Sequence, residues 1–225
     1  MEIRRIWFHN LPEKLPGNVV VVDAYAASAN MSTLLSKKPN KLIIVNEESL
    51  ERASGIYEDA ILVGESDSLP SSEFLFNNQP VNMYQGDVTG KNVLWMSVNG
   101  SRVFEETMKH AEIGEVLAGA FNNSRAVTEY LNHRNGLVYI VMAGNRGIEV
   151  TEDRICGEIL ERRLKGEKVD WEEVKKDVSA FLVENYDLKE ARRDLPYIVD
   201  RIDEFNIVPR CFKNKEGFLE IKSAF

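Results

Sequence analysis

The sequence predicts an α/β sandwich built on a largely parallel sheet. Six apolar runs rich in Val, Ile and Leu recur with little alternation, the pattern of strands covered on both faces. Amphipathic stretches of helix length lie between them, which argues for parallel strands joined by helical crossovers. No Pro/Gly/Ser-rich linker divides the 225 residues, so a single domain is expected over residues 1–225.

The elements follow in order. "NVVVVD" ends at Asp23 and hands over to a helix that opens in "AYAASANMS". "KLIIV" runs to Val45, "AILVG" to Gly64 and "NVLWMSV" to Val98. "EVLAGAF" runs to Phe121 and "LVYIVMAG" to Gly144. "SRVFEETMKHA" and "SRAVTEYLNHR" read as amphipathic helices. Ser66 to Gly90 is a long connection with two prolines, and Phe74, Phe76 and Tyr84 are expected to anchor it as an ordered loop. From Thr151 the chain turns helical through "TEDRICGEILERRLKG" and "DWEEVKKDVSAFLVENY", where Asp170 and Glu173 have capping-box spacing. "EFNIVPRCFKNKEGFLEI" reads as a short hairpin or two edge strands. "VNGSRVFEE", "FNNSRAVTE" and "MAGNRGIEV" share Asn and Arg at strand ends, by duplication or by common turn chemistry.

Charge and cysteine use narrow the function. A net charge of -8 argues against sequence-independent binding to nucleic acid or to an anionic membrane. The two cysteines, Cys156 and Cys211, are too few for a disulfide framework. "MEIRRIWFHN" has no long apolar run after its arginines, and no run approaches the roughly 18 residues of a spanning helix. A cytoplasmic protein is expected, with a homo-oligomer left open.

Ligands in α/β sheets bind beyond the carboxyl ends of the strands. Those ends offer Asp23 and Ser28; Glu65; Asn99, Gly100, Ser101 and Arg102; Asn122, Asn123 and Arg125; and Arg146. Helix N-termini and arginine forks suit an anion, and carboxylates suit Mg²⁺. Together these describe a crevice for a small anionic substrate with a divalent metal. Each residue also has a plainer reading. Asn and Ser before a helix are ordinary N-caps, and Glu152 and Asp153 are favoured early in a helix by its dipole. Asp23 ends a buried strand, where a carboxylate is costly unless paired or ligating. An Asx turn opening the next helix answers that cost equally well.

Other mechanisms lack their residues. There is no G-x-x-x-x-G-K-[ST] phosphate loop. His9, His110 and His133 do not fall at strand ends, and Cys156 reads as a small core residue. Tyr25 stands where an aspartyl-phosphate D-x-D scheme needs its second acid.

The order of motifs resembles the 2-phosphosulfolactate phosphatases, Mg²⁺-dependent acid phosphatases associated with coenzyme M biosynthesis. "VVVVDAYAAS" is similar to that family's V-V-D-V-L-R-A-[ST], and "LVGES" to its G-G-E-R. "FNNQPVNM", which contains Asn78, resembles G-N-S-P; "SVNGSR" resembles T-T-N-G-T-R; "GAFNNSRAV" resembles G-S-F-x-N-A-x-A-V. "MAGNRGIEVTEDRICGEIL" is similar to C-A-G…E-D…C-A-G, and "DEFNIVP" to D-x-F-D-x-V-P. The resemblance spans nearly the whole chain and implies a three-layer α/β sandwich. It implies a hydrolase of a small phosphorylated hydroxy acid such as 2-phosphosulfolactate. Asp23, Glu65, Asn99 and Arg102 would then serve catalysis. Ser28, Asn78, Gly100, Ser101, Asn122, Asn123, Arg125 and Arg146 would bind substrate. Asp23, Glu65, Glu152 and Asp153 would hold Mg²⁺. The departures fall at two family arginines, replaced by Ala26 and by Ser66, the latter followed by Asp67. The alternative is therefore a catalytically impaired relative that binds a small anionic metabolite.

Overall fold

A computed structural model describes residues 1–225. The strands are β1 (Glu2–Trp7), β2 (Leu15–Pro16), β3 (Asn18–Val22), β4 (Lys41–Ile44), β5 (Ile61–Gly64) and β6 (Asn92–Met96). They continue as β7 (Ala111–Ile113), β8 (Val116–Gly119), β9 (Leu137–Met142), β10 (Pro209–Lys213) and β11 (Leu219–Ser223). The helices are α1 (Ala27–Ser36), α2 (Glu47–Ile56), α3 (Pro80–Gln85), α4 (Gly100–His110), α5 (Ser124–Asn132), α6 (Thr151–Leu164), α7 (Trp171–Asn185) and α8 (Leu188–Ile198).

Nine strands form one sheet in the order β1-β9-β3-β8-β10-β11-β4-β6-β5. Five of its eight neighbouring pairs are parallel, so the sheet is mostly parallel as expected. The three antiparallel pairs all involve β10 or β11. This hairpin is no edge element. It sits mid-sheet and joins two parallel blocks, β1-β9-β3-β8 and β4-β6-β5. Cys211 and Ile221 are buried there because both flanking strands offer unpaired backbone edges. The true edges are β5 and β1, and β1 is half-exposed with charged residues among its apolar ones, which is why its sequence does not read as a strand.

Three antiparallel steps set the two blocks running in opposite directions, yet their carboxyl ends meet. Neighbouring strands twist by roughly 20–25°, so the five steps from β3 to β6 accumulate about 100–125°. The sheet therefore curls. Its concave face is one apolar cluster that joins Val19 and Val21 of β3, Leu42 and Ile44 of β4, and Trp95 of β6 to α1 and α4. Alternate residues face the other way. Val20 and Val22 pack with α5 to α8, and Ile43 and Leu94 pack with α2. Helices thus cover both faces, which explains the unbroken apolar strands. Cys211 lies in the concave cluster and Cys156 in the opposite one.

The long connection is ordered. Phe74 is buried, Lys37 donates to the Tyr84 carbonyl at 2.6 Å, and the Tyr84 hydroxyl donates to Glu204 at 2.7 Å. Asp170 caps α7 by accepting from the Glu172 and Glu173 amides. Of the three Asn-Arg segments, two open α4 and α5. The third folds into a tight turn, with Asn145 and Ile148 exchanging backbone hydrogen bonds.

Candidate functional site

Where the two blocks meet, a cavity of about 250 Å³ opens. Asp23 enters from the end of β3, Glu65 from the end of β5, Asn99 from the turn after β6, and Glu152 and Asp153 from the first turn of α6. Asn78 enters from the long connection. Polar side chains join the walls. Asn99 Nδ2 donates to the Gly144 carbonyl at 2.8 Å, linking the β6 and β9 loops. Asn78 Nδ2 donates to Ser97 Oγ at 3.3 Å, and Asn78 Oδ1 accepts from Asn30 at 2.9 Å. Gly64 ends β5 with φ 122, and a Cβ there would lie 1.8 Å from the Met96 carbonyl oxygen; only glycine lets the chain turn Glu65 into the mouth.

Asp23 satisfies its buried carboxylate locally and also faces the cavity. Its Oδ1 accepts from the Ala27 amide at 3.0 Å, capping α1, while its side chain lines the cavity. Asp153 lies deeper. Its Oδ1 accepts from the Ala24 amide at 2.7 Å and its Oδ2 from the Gly144 amide at 2.9 Å, so it ties the β3 and β9 loops together. Glu152 is 1% exposed. The Tyr186 hydroxyl donates to its Oε1 at 2.7 Å, but its buried Oε2 has no partner.

Burial raises all these carboxyls above the usual range. Asp23 is pushed up to about 7, first by burial and then by the charges of Glu152 and Glu65, against the pull of the Ala27 amide. Asp153 is raised by burial and by its neighbours Asp23 and Glu152. Glu152 is raised by burial, opposed by Tyr186. Glu65 is raised by the protein around it and opposed by Asn78 and, at longer range, Arg146. It is nevertheless exposed to solvent, so burial is a weaker argument there than at Asp23.

The remaining sequence candidates lie elsewhere. Ser28 is buried beneath the cavity, donating to the Val21 carbonyl at 2.9 Å and accepting from the Asp23 amide. Asn123 donates to the Ala118 and Ile207 carbonyls, and Asn122 donates to the Ala29 carbonyl at 3.0 Å. All three hold backbone together, which removes them from the crevice expected for them. Gly100 is a packing residue: a Cβ there would lie 2.5 Å from the Ala27 Cβ. Ser101 donates to the Val45 carbonyl at 3.0 Å. With Arg102 it lines a second cavity, of about 470 Å³, that shares Glu65 and Ser97 with the first. The Arg102 guanidinium stands 5.7 Å from the Phe8 ring. Arg125 is exposed, away from both. Arg146 is exposed and pairs with Asp67 at 2.8 Å.

The structure adds residues that the sequence did not single out as site residues. Tyr25, Ala26, Gln79, Asn145, Tyr186 and Glu190 also line the cavity. The Tyr25 hydroxyl donates to Asp194 at 2.8 Å. Asp194 had a legible signal, an acid on the buried Ala191, Ile198 stripe of an amphipathic helix. Tyr186 had none, since its partner lies 34 positions away.

Five carboxylates line the cavity, and no Lys, Arg or His does. No three His, Cys, Asp or Glu side chains stand together as a ready-made ligand set. The donors nevertheless suit Mg²⁺, which keeps most of its waters and needs only one or two carboxylates beside a substrate phosphate. The free Oε2 of Glu152 is such a donor.

Comparison with known proteins accords with this architecture. The profile of the 2-phosphosulpholactate phosphatase family matches residues 8–209. A protein of Caldanaerobacter subterraneus subsp. tengcongensis, named "Probable 2-phosphosulfolactate phosphatase", is 28% identical across 92% of each chain. One of the same name from Clostridium perfringens is 29% identical across 73% of this chain and 68% of its own. One from Clostridium acetobutylicum is 33% identical across 61% of this chain and 58% of its own.

Proposed function

Because the chain belongs to the 2-phosphosulpholactate phosphatase family, we propose that it is a Mg²⁺-dependent hydrolase of a small phosphorylated hydroxy acid such as 2-phosphosulfolactate. The observation that carries the reading is the cavity itself, lined by five carboxylates and no basic residue. A phosphate dianion in such a cavity needs a cation that its lining does not supply. Glu152, through its free Oε2, would hold the metal with Asp23; the four acids expected from the sequence, Asp23, Glu65, Glu152 and Asp153, are not brought together as one ligand group. Asp153 already accepts two backbone amides and serves chiefly to position the loops around it. When bound, Mg²⁺ would offset phosphate charge and lower the pKa of an attacking water.

The chain's own groups have separate tasks. Tyr186 orients Glu152 by donating to Oε1. Asn78 and Asn99 brace the walls with amide hydrogen bonds. The first turn of α4, with Arg102, presents the positive end of a helix dipole to the adjoining cavity. In the metal-free site Asp23 keeps a proton up to about 7.

The wider setting is part of the same proposal. We read the helices on both faces as the outer layers of a three-layer sandwich. We assign the protein to the cytoplasm and to coenzyme M biosynthesis, without nucleic-acid partners and with a homo-oligomer allowed. In support, both thiols are free and buried, and no helix is long and apolar enough to cross a membrane.

The test is a phosphatase assay over a panel of phosphorylated hydroxy acids, with Mg²⁺ and with EDTA. Turnover that needs Mg²⁺ and falls at least tenfold in Glu152→Gln is expected. Turnover indifferent to EDTA would remove the metal from the reading. One observation favours the second reading, an impaired relative that binds a small anion: Ala26, at a family arginine position, lines the cavity. No turnover across the panel, with sulfonates or carboxylates still raising the melting temperature, would decide for it.

A further inference from the structure

The lining of the cavity is acidic, but two exposed guanidinium groups outside it contact its surroundings, Arg146 through Asp67 and Arg193 through the cavity-lining Gln79. Arg146 occupies the first central position of the Asn145–Ile148 turn, with φ 51, followed by Gly147 at φ 86. Positive φ at both central residues is the type I′ pattern, which turns the side chain outward beside the cavity-lining Asn145. Arg146 Nη2 reaches Asp67 Oδ1 at 2.9 Å and Oδ2 at 2.8 Å, two residues beyond the cavity-lining Glu65. The turn after β9 thus bridges to the loop after β5, and the Arg146 charge is felt at Glu65.

Arg193 belongs to α8. Its Nη2 donates to Gln79 Oε1, and Gln79 lines the cavity. Its Nε lies 3.9 Å from Asp194, which accepts from the Tyr25 hydroxyl beside Ala26. Neither arginine is locked in place. The side chains are 62% and 47% exposed, and the carboxylate of Asp67 is 65% exposed. Exposed ion pairs are weak, so an incoming anion can take the guanidinium over from its present partner.

We propose that Arg146 and Arg193 are the anion contacts of this chain's substrate, one reaching in from the turn after β9 and the other from α8. The inference rests on the phosphatase reading above. Asp67 and Gln79 hold the two arms until substrate arrives, and Asp67 competes with the substrate for Arg146.

Inorganic phosphate is the probe, titrated calorimetrically into the Mg²⁺-loaded full chain. Arg146→Gln and Arg193→Gln are each expected to weaken phosphate binding by about tenfold, the effect of a lost charge-assisted hydrogen bond. Asp67→Asn is expected to tighten it by about two- to fivefold, because it frees Arg146. That gain should vanish in Asp67→Asn/Arg146→Gln. Arg193→Lys keeps the charge, so it should retain most of the affinity even if Arg193→Gln perturbs the packing of α8. Unchanged affinity in both arginine-to-glutamine variants would overturn the proposal, as would an Asp67→Asn gain that survives without Arg146. A parent that hydrolyses the panel while the arginine variants match it sinks this inference alone. A parent that neither binds phosphate nor hydrolyses any ester sinks the phosphatase reading with it.

Discussion

Asp23 is an acid whose folded environment favours its protonated form. Its pKa rises from the ordinary aspartate value near 3.9 to about 7 in the fold. Between those values the native state binds more protons than the unfolded chain. Stability contributed by this group is complete below about 3.9 and is lost as pH rises toward 7. Asp23→Asn removes that dependence and keeps an acceptor for the Ala27 amide. In metal-free protein the variant should therefore melt at or near the parent's temperature at pH 4. At pH 8 it should melt higher by at least about 2–4 °C, the shift that 1 kcal/mol produces in a domain of this size. An equal difference at both pH values would show that Asp23 titrates normally. The same protonation predicts that Mg²⁺ binding at pH 6 releases protons, since a ligand must be deprotonated. Calorimetry in buffers of different ionisation enthalpy reads that release, and identical heats would contradict it. Asp23 could be found in the sequence because an acid at the end of an apolar run is an anomaly visible within six residues. The orientation of Glu152 could not, because Tyr186 is set against it by packing between α6 and α7 rather than by local pattern.

Helices α1 and α4 both begin at the cavity, and their first turns touch. Gly100 permits this approach, since a Cβ there would sit 2.5 Å from that of Ala27 and 2.9 Å from the Trp95 ring. Gly100→Ala is expected to cost about 1–3 kcal/mol in denaturant unfolding, the usual penalty of overpacking. It should also lower Mg²⁺ affinity, because the displaced first turn of α1 carries the amide that Asp23 accepts. An undisturbed unfolding midpoint would mean that the helices shift apart without cost. At this scale the sequence was informative for every strand of the two parallel blocks except β1, and for α4 to α7. It left α8 unread, although Asp194 on that helix's buried stripe is the signal that could have marked it. It also placed Ser28, Asn122 and Asn123 in the crevice because caps and ligands use the same residue types at the same positions. Burial and backbone partners separate the two, and neither is written locally.

The whole molecule depends on its last two strands. β10 and β11 alone connect the two parallel blocks within the sheet. Removing residues 209–225 should abolish the cooperative unfolding transition rather than trim an edge, because it exposes β8 and β4 to solvent together with the concave cluster they support. A truncated chain that still melts cooperatively near the parent temperature would refute this. The central position of the hairpin was hidden in the sequence, where a short strand pair at a terminus reads as an edge. Pairing direction and strand order are long-range properties, fixed by the concave core and not by local pattern.

The two buried thiols turn this layered construction into a means of timing its opening. Cys211 sits against the inner surface of the curl and Cys156 against the outer, each at 3% exposure or less, and neither has a disulfide partner. A thiol reagent can reach either one only when its own layer parts. If the molecule breathes by swinging the α5 to α8 layer away, Cys156 should react first, and Ala-for-Cys variants would assign each kinetic phase to one surface. If the curl opens along its seam, Cys211 should lead. A single shared rate would mean that neither layer opens without the other.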